Sequence, residues 1–225
     1  MHRVVKTGLV AWGLLGSLSA AGLDILKEKW QEIRNEDGVQ VFEGSASADG
    51  LIAFKSVVTV NHPLEEALGF IADLQRKPDW VAMQSGAKLL YNGPYEKIVY
   101  ETYDFPFPIS DRDVVYHWDV QPTSTGVVIN VHSVTDSGAP PTIGERMHLE
   151  RSIVYLHRVG PNQTRNETYI LASPGGWIPH WLVNLLNKEE VWKGGVAYRR
   201  FLDTLAGIVP LAVPPGPAVT VSAVE

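Results

Sequence analysis

The stretch of sequence that decides the fold is VYETYDFPFPISDRDVV, residues 99–115. It lies within residues 87–172, where runs of β-branched and aromatic residues alternate with turn-forming segments. The turn segments are Asn92-Gly93-Pro94, Thr123 to Gly126, Ser137 to Pro141 and Gly160-Pro161-Asn162. This alternation predicts four or five consecutive antiparallel strands.

Two helices and a hairpin are predicted before this region. Apolar residues at helical spacing over 23–33, stopped by Asp37-Gly38, indicate a short first helix. The β-branched runs 39–42 and 52–60 follow, and a turn-rich stretch between them favours a hairpin. A second helix is expected over 61–78, with a capping Asn and a Pro at its start and a Pro at its end.

The longest predicted helix starts near residue 178 and ends near residue 205, with one apolar stripe that includes Trp181 and Leu202. A helix, two strands, a helix, several antiparallel strands and a long helix make an α+β domain. A long amphipathic helix laid over the concave face of a curved sheet either fills that face or roofs a cavity. The pattern leaves both possibilities open.

The N-terminus carries the pattern of an export signal. His2, Arg3 and Lys6 precede a small and apolar run that ends near Ala21 and is too short to span a bilayer comfortably. We therefore expect residues 1–21 to be a signal peptide of a periplasmic or secreted protein. The alternatives are an uncleaved membrane anchor and the buried start of the first helix.

Length and composition favour one globular domain over residues 22–205, followed by a flexible Pro/Ala/Val-rich tail over 206–225. The net charge of −6 and the lack of Lys/Arg runs argue against a nucleic-acid partner. The absence of cysteine excludes disulfides, thiolate metal sites and a cysteine nucleophile. We expect a monomer with no cofactor and no metal.

The quoted stretch resembles the strand, proline-containing loop and Arg-Asp-Val strand start of the StAR-related lipid-transfer (START) family. Residues 78–81 resemble the family's Pro-x-Trp segment, and residues 173–184 resemble the turn into its C-terminal helix. The resemblance covers residues 23–205. It implies a helix-grip fold, in which a curved antiparallel sheet wraps around the C-terminal helix and encloses a hydrophobic tunnel for one lipid-like molecule. The loop 105–110 and that helix would be the gate.

The sterol-carrying members of this family pair a buried acid with a buried arginine. Here Glu101 resembles the acid, while Trp118 stands near the place of the arginine. The polar end of the pocket must differ, which puts a sterol ligand in doubt. Strand alternation leaves the side of Glu101 open. If it points inward, Arg151, His132 and Asn130 are its candidate partners, because an isolated buried carboxylate would neutralise.

Strand alternation places the apolar side chains of residues 114, 116, 118 and 120 on one face, which should be the concave wall. Trp177 and Trp181, one helical turn apart, fit a tunnel mouth, a transient membrane contact or simple packing. The candidate ligand-binding residues are Trp80, Met83, Glu101, Tyr103, Phe107, Tyr116, Trp118, Asn130, His132, Met147, Arg151, Trp177, Trp181 and Leu185.

Arg112 and Asp113 form the most diagnostic pair of the motif and are expected to be structural. An arginine fork at a strand start binds loop carbonyls or a carboxylate such as Asp104, and so holds the proline loop.

Two classes of function remain. The export pattern and the resemblance favour a non-catalytic carrier or sensor of a lipid or other apolar small molecule. Nucleophile-elbow, His-Glu-x-x-His and dinucleotide motifs are absent, and no catalytic residue is expected. The alternative is a cyclase- or dehydratase-like enzyme, because helix-grip proteins resembling polyketide cyclases use the same cavity. Such an enzyme needs two titratable groups facing each other across a void, and a carrier needs one polar end.

Overall fold

The computed structural model describes residues 25, 26, 28–47, 50–136, 138–204 and 206–219. These residues form one large curved antiparallel sheet, two α-helices and a short 3-10 helix. The strands are β1 (Gln31–Glu36), β2 (Val39–Ala46), β3 (Ile52–Val60), β4 (Gln84–Asn92), β5 (Glu96–Tyr103), β6 (Arg112–Pro122), β7 (Gly126–Ser133), β8 (Glu145–Arg146), β9 (His148–Gly160) and β10 (Gln163–Ser173). The helices are α1 (Leu64–Ala72), the 3-10 helix Lys77–Asp79 and α2 (His180–Thr204).

Across the sheet the strands run in the order β1-β2-β3-β10-β9-β7-β6-β5-β4, with each neighbouring pair antiparallel. The two-residue strand β8 lies off this path and pairs with β6 in parallel. Strands β3 and β10 are far apart in sequence but adjacent in space. The long β9–β10 hairpin, formed by the last two strands of the chain, therefore occupies the middle of the sheet and joins strands β1–β3 to strands β4–β7.

Helix α2 packs on the concave face against β2 and β3. It approaches closely at Gly195, where an added Cβ would lie 2.7 Å from a methyl of Val39 and 3.2 Å from a methyl of Val58. Only glycine fits this crossing without movement of the sheet. The arrangement is the predicted helix-grip fold, and the expectation of an α+β domain with a long C-terminal helix is confirmed.

Apolar clusters lie on both faces of the sheet. The main core fills the concave side, where alternate residues such as Val114 and Ile129 are buried beneath the helices. A smaller cluster on the outer face includes the fully buried Ile25 together with Tyr155 and Tyr169, and Trp30 packs edge-on against Tyr169 at 5.6 Å.

The predicted first helix is wrong. Residues 31–36 form strand β1, and Asp37-Gly38 is the two-residue turn that leads into β2. Asp37 has a φ of 52° and Gly38 a φ of 73°, the left-handed pair that a tight hairpin requires. The Asp-Gly signal therefore marked a hairpin and not a helix end. The region 87–172 likewise holds more strands than the four or five expected, namely β4 to β10.

The C-terminal segment differs from the free, flexible tail that its composition suggested. Residues 206–219 are irregular, but the Leu211 N–H donates to the Glu65 carbonyl at 2.9 Å and the Val219 N–H donates to the Pro122 carbonyl at 2.8 Å. Val213 is buried. This segment therefore packs along α1 and the end of β6.

The expected signal peptide, residues 1–21, lies outside the described residues. Among the helices that the structure describes, none combines the length and the apolar character needed to cross a bilayer.

Candidate functional site

A cavity of about 430 Å³ lies between the concave face of the sheet and helix α2. Side chains of β3, β6, β7, β9 and β10 form its floor, and residues 80–83 with Phe105 close one end. Helix α2 forms the roof through residues 187–198. At Gly194 in this roof an added Cβ would meet nothing within 4 Å, so the space beneath the helix is open and not packed solid.

Half of the residues predicted to bind ligand line this cavity. Strand alternation is correct for β6, where Val114, Tyr116 and Trp118 all face the space. Met83 has a φ of 60° and its carbonyl accepts a hydrogen bond from the Asp104 N–H at 2.8 Å, which fixes the turn at the end of the cavity. The predicted residues in the lining are Trp80, Met83, Glu101, Tyr103, Tyr116, Trp118 and Met147.

Glu101 points inward and is only 1% exposed. Its Oε1 accepts from the Lys77 ammonium at 2.6 Å and from the Tyr116 hydroxyl at 2.7 Å. Its Oε2 accepts from the Tyr103 hydroxyl at 2.8 Å. The carboxylate is thus compensated by one cation and two hydroxyls, as a buried charge requires. We refer to these four residues as the Glu101 cluster.

The cluster controls how its tyrosines ionise. Burial raises the pKa of Tyr103 and of Tyr116 well above the ordinary value, and the nearby Glu101 charge raises both further. Both hydroxyls therefore stay protonated and keep donating to Glu101 at neutral pH. Because the Lys77 and Glu101 charges cancel, the cluster offers the cavity a polar but neutral surface.

A second set of cavity residues is polar and uncharged. Ser56, Ser152 and Asn166 are buried on β3, β9 and β10, and the Thr168 hydroxyl donates to the Asn166 side-chain oxygen at 2.9 Å. The sequence alone does not identify these residues as part of a site. The pattern that could have identified them is a polar residue at an inward-facing position of a strand whose other inward-facing residues are apolar. Lys77 is likewise not identified, because nothing in the sequence places the segment after α1 beside β5.

Asn130, His132 and Arg151 do not line the cavity, so they are not the partners of Glu101. In β7 it is Ile129 and Val131 that point inward, and alternation sends their neighbours to the outer face. There Asn130 donates to the Asp119 carboxylate at 3.2 Å.

On the same outer face the rings of His132 and His117 are 5.3 Å apart. Burial lowers the pKa of His132, with smaller contributions from His117 and Arg151 that also lower it. The acid/base pair that the enzyme alternative required is therefore not formed by these residues.

Four other predicted residues lie on the surface. Phe107 is 97% exposed and Trp177 94% exposed, while Trp181 and Leu185 on the first turns of α2 are more than half exposed. None of the four lines the cavity. We refer to them as the aromatic patch.

Arg112 connects the loop that carries Phe107 to the loop that carries Trp177. Its Nε donates to the Pro174 carbonyl at 2.9 Å, and its Nη1 donates to the carbonyl and the hydroxyl of Ser110. The fork therefore binds loop oxygens, and Asp104 is not its partner. The buried Asp113 accepts from the Ile143 N–H at 2.8 Å and from the Arg146 side chain, and so anchors the segment before β9. Arg112 and Asp113 therefore both stabilise loops, as expected for a structural pair.

Apart from the Glu101 cluster and the buried Tyr198, the ionisable residues lining the cavity are His148 and Glu190, and both have partners in solvent-exposed parts of the structure. His148 Nε2 lies 3.4 Å from Glu150, and Glu190 accepts from Lys193 at 2.9 Å. Within the described part of the chain no group of His, Asp and Glu side chains is arranged to hold a metal ion. The Glu101 cluster thus holds the buried charges of the cavity, and the remaining ionisable groups apart from Tyr198 are paired at partly or fully exposed positions.

Comparison with known proteins agrees with this geometry. The chain is 27% identical over 186 residues to the uncharacterized protein PA1579 of Pseudomonas aeruginosa, a match covering 82% of this chain and 90% of that protein. It is 27% identical over 171 residues to the phosphatidylcholine transfer protein of Bos taurus, covering 72% and 78%.

Two solved structures share the fold. A StAR-related lipid transfer protein fragment from Xanthomonas axonopodis superposes with a TM-score of 0.70 at 23% identity, covering 78% of this chain and 99% of that one. Human STARD10 superposes with a TM-score of 0.68 at 19% identity, covering 77% and 74%. The START domain model matches residues 21–206. With the helix-grip fold, the internal cavity and this match in agreement, the chain belongs to the START domain family.

Proposed function

We propose that the protein binds one lipid or similar apolar molecule in the cavity beneath α2 and carries it without chemical conversion. The observation that supports this most directly is a largely apolar space of about 430 Å³ with a single buried charged cluster. That volume lies within the range of roughly 300–1,000 Å³ typical of small-molecule sites. Phosphatidylcholine transfer proteins among its relatives are consistent with a lipid ligand.

The Glu101 cluster is suited to orient a neutral polar head group. The hydroxyls of Tyr103 and Tyr116 donate hydrogen bonds to Glu101, so their oxygen lone pairs can accept hydrogen bonds from a ligand. The Lys77 ammonium has a further N–H beyond those directed at Glu101 and Tyr116. We therefore expect a ligand with a hydroxyl or carbonyl group at one end of an apolar body.

The cluster is less suited to acid/base catalysis. A general base needs a free lone pair within reach of the substrate, and three donors already occupy three of the roughly four lone-pair sites of the Glu101 carboxylate. The other titratable groups of the lining are Tyr198, whose pKa is raised by burial, and His148 and Glu190, which are paired with Glu150 and Lys193. The buried polar residues Ser56, Ser152 and Asn166 carry no charge. Carriage is therefore the function that this lining favours.

The proposal is tested by purifying the full chain from its own cell envelope and identifying what it holds by native mass spectrometry. We expect one apolar molecule per chain, since a single chain forms the whole cavity. Transfer of a fluorescent lipid between vesicles gives the second measurement. Gly194→Phe should abolish both, because it places a ring in the open space under α2. A folded Gly194→Phe protein that still carries the ligand would contradict a site in this cavity.

We further propose that the aromatic patch contacts the membrane while ligand is exchanged. Exposed Trp and Phe side chains suit the interface between water and lipid. The double variant Phe107→Ser with Trp177→Ser should reduce binding to neutral phosphatidylcholine vesicles and slow lipid transfer. Tyr91→Ser is the matched control, because Tyr91 is a half-exposed aromatic on the edge strand β4. Equal effects of the patch variant and the control would contradict this role.

Export is the remaining part of the proposal. The charged and then apolar pattern of residues 1–21 supports a periplasmic or secreted carrier. N-terminal sequencing of the mature protein is expected to start near residue 22, and an intact Met1 on protein from the cytosolic fraction would contradict it.

A further inference from the structure

A second concave site lies outside the cavity. It is a groove of about 480 Å³ between residues 72–75, at the end of α1, and strands β4 and β5. Leu74 lines both the groove and the cavity, so one layer of side chains separates the two spaces. Lys88 and Lys97 are the cations in its lining.

Lys97 is the unusual residue of this groove. It is only 8% exposed, and the register of β5 against β6 places it opposite Trp118, so it faces the concave side of the sheet. Its ammonium donates to the Asn92 side-chain oxygen and to the Gly93 carbonyl, both at 3.0 Å, and lies 5.4 Å from the centre of the Trp118 ring. Each of these partners is electrically neutral.

The charges around the groove do not compensate Lys97. The Asp73 carboxylate, which also lines the groove, is 3.4 Å from Arg76 and paired with it. Glu101, the buried acid of β5, is held by Lys77. Within the residues that the structure describes, neither Lys97 nor Lys88 forms an ion pair, and Lys88 is exposed at the rim. The groove therefore carries excess positive charge.

A buried ammonium without a counterion is costly, and such groups are usually paired. Burial lowers the pKa of Lys97, which is the expected response to missing compensation. Two of its three N–H donors are committed to Asn92 and Gly93, which leaves one for another acceptor. Because Asn92 accepts through its oxygen, its amide N–H₂ group remains a donor beside the same space.

We propose that this groove is a binding site for an oxyanion, a phosphate or carboxylate group, held by Lys97 with help from the Asn92 amide and from Lys88 at the rim. A charge-assisted hydrogen bond from a partly desolvated ammonium is the strong kind of contact for such a group. The oxyanion comes either free in solution or as the head group of an amphiphile. The site is independent of the proposed cavity ligand, because its lining shares only Leu74 with the cavity.

The test uses the full chain with ¹³C-labelled lysine and follows the Lys97 ε-methylene resonance by NMR during titration. One arm uses inorganic phosphate, and the other uses hexyl phosphate, which adds a short apolar chain to the same oxyanion. We expect a saturable shift of the Lys97 resonance in at least one arm. Equal affinity in both arms identifies a free oxyanion as the ligand, and clearly tighter binding of hexyl phosphate identifies an amphiphile head group.

Two variants complete the test. Lys97→Met keeps the length of the side chain and should weaken binding by about tenfold or more, the loss expected for one hydrogen bond to a charged group. Lys29→Met removes an exposed lysine elsewhere and should leave affinity unchanged. The absence of a saturable Lys97 shift in both arms overturns the proposal, as does an equal loss in the two variants. The wild-type titration decides the matter even if Lys97→Met fails to fold.

Discussion

The Lys77 ammonium lies 2.6 Å from a carboxylate oxygen of Glu101 inside the wall of the cavity. Lys77 belongs to the 3-10 helix after α1, and Glu101 lies on β5, so the pair ties this connecting segment to the sheet. Glu101 is almost fully buried, whereas the Lys77 side chain is 18% exposed. The pair therefore both stabilises the fold and lines the ligand cavity. Mutation of one or both residues can measure its contribution to stability.

Glu101→Leu should destabilise the protein by about 3–5 kcal/mol, because it leaves the Lys77 charge and two tyrosine hydroxyls without their acceptor. The double variant Glu101→Leu with Lys77→Met should recover most of that loss, since no charge then remains buried. Urea unfolding of the single and double variants measures the coupling. Glu190→Ala on the partly exposed Glu190–Lys193 pair is the control and should cost no more than about 1 kcal/mol. Strictly additive losses would show that the pair is not coupled.

The protein should lose stability at alkaline pH because of its buried tyrosines. The pKa values of Tyr103, Tyr116 and Tyr198 are raised above the ordinary value, mainly by burial. Once the pH passes about 10, the unfolded chain releases these protons while the folded chain keeps them. The unfolded state then binds fewer protons, so the free energy of unfolding falls as pH rises.

Denaturation between pH 8 and pH 11.5, with tyrosine ionisation followed by ultraviolet absorbance, checks this expectation. Tyr103→Phe should flatten the alkaline part of the stability curve, and Tyr91→Phe at the exposed edge strand should leave it unchanged. A wild-type curve with no decline above pH 10 would contradict the raised values.

The adjacent glycines of α2 should respond oppositely to alanine. Gly194→Ala meets open space and should stabilise the helix by up to about 1 kcal/mol. Gly195→Ala places a methyl 2.7 Å from Val39 and should destabilise by about 1–3 kcal/mol through overpacking. Thermal unfolding of both variants decides the point. Equal effects of the two substitutions would show that α2 does not cross the sheet at Gly195.

Trp118→Arg should weaken apolar ligand binding more than Arg112→Ala does. Trp118 lines the cavity and already has the Lys97 ammonium near its ring, so an arginine there adds a second cation beside a buried one. Arg112→Ala removes the bonds to Ser110 and Pro174, which should lower the thermal midpoint with a smaller effect on affinity. Ligand affinity and thermal midpoint are measured for both variants once each is shown to be folded. Unchanged binding in a folded Trp118→Arg protein would place the ligand elsewhere.

The sequence determined the fold class, the extent of the last helix and the inward face of β6. These features depend on local patterns, because side chains alternate along a strand and repeat every 3.6 residues along a helix. The same patterns placed Val114, Tyr116 and Trp118 on the cavity wall. A local pattern that fits two structures can lead to a wrong prediction. Asp37-Gly38 was interpreted as the end of a helix, but it forms the turn of the β1–β2 hairpin.

Only the tertiary structure decided which groups meet across the cavity. Glu101 pairs with Lys77, which lies 24 residues away in the sequence. The predicted partners Arg151, His132 and Asn130 lie on the outer face because of the strand register. The neutral wall of Ser56, Ser152 and Asn166 joins three strands that pair through β10. Such contacts depend on the register between distant strands and on the path of irregular segments. Neither produces a periodic pattern of residues from which it could be predicted.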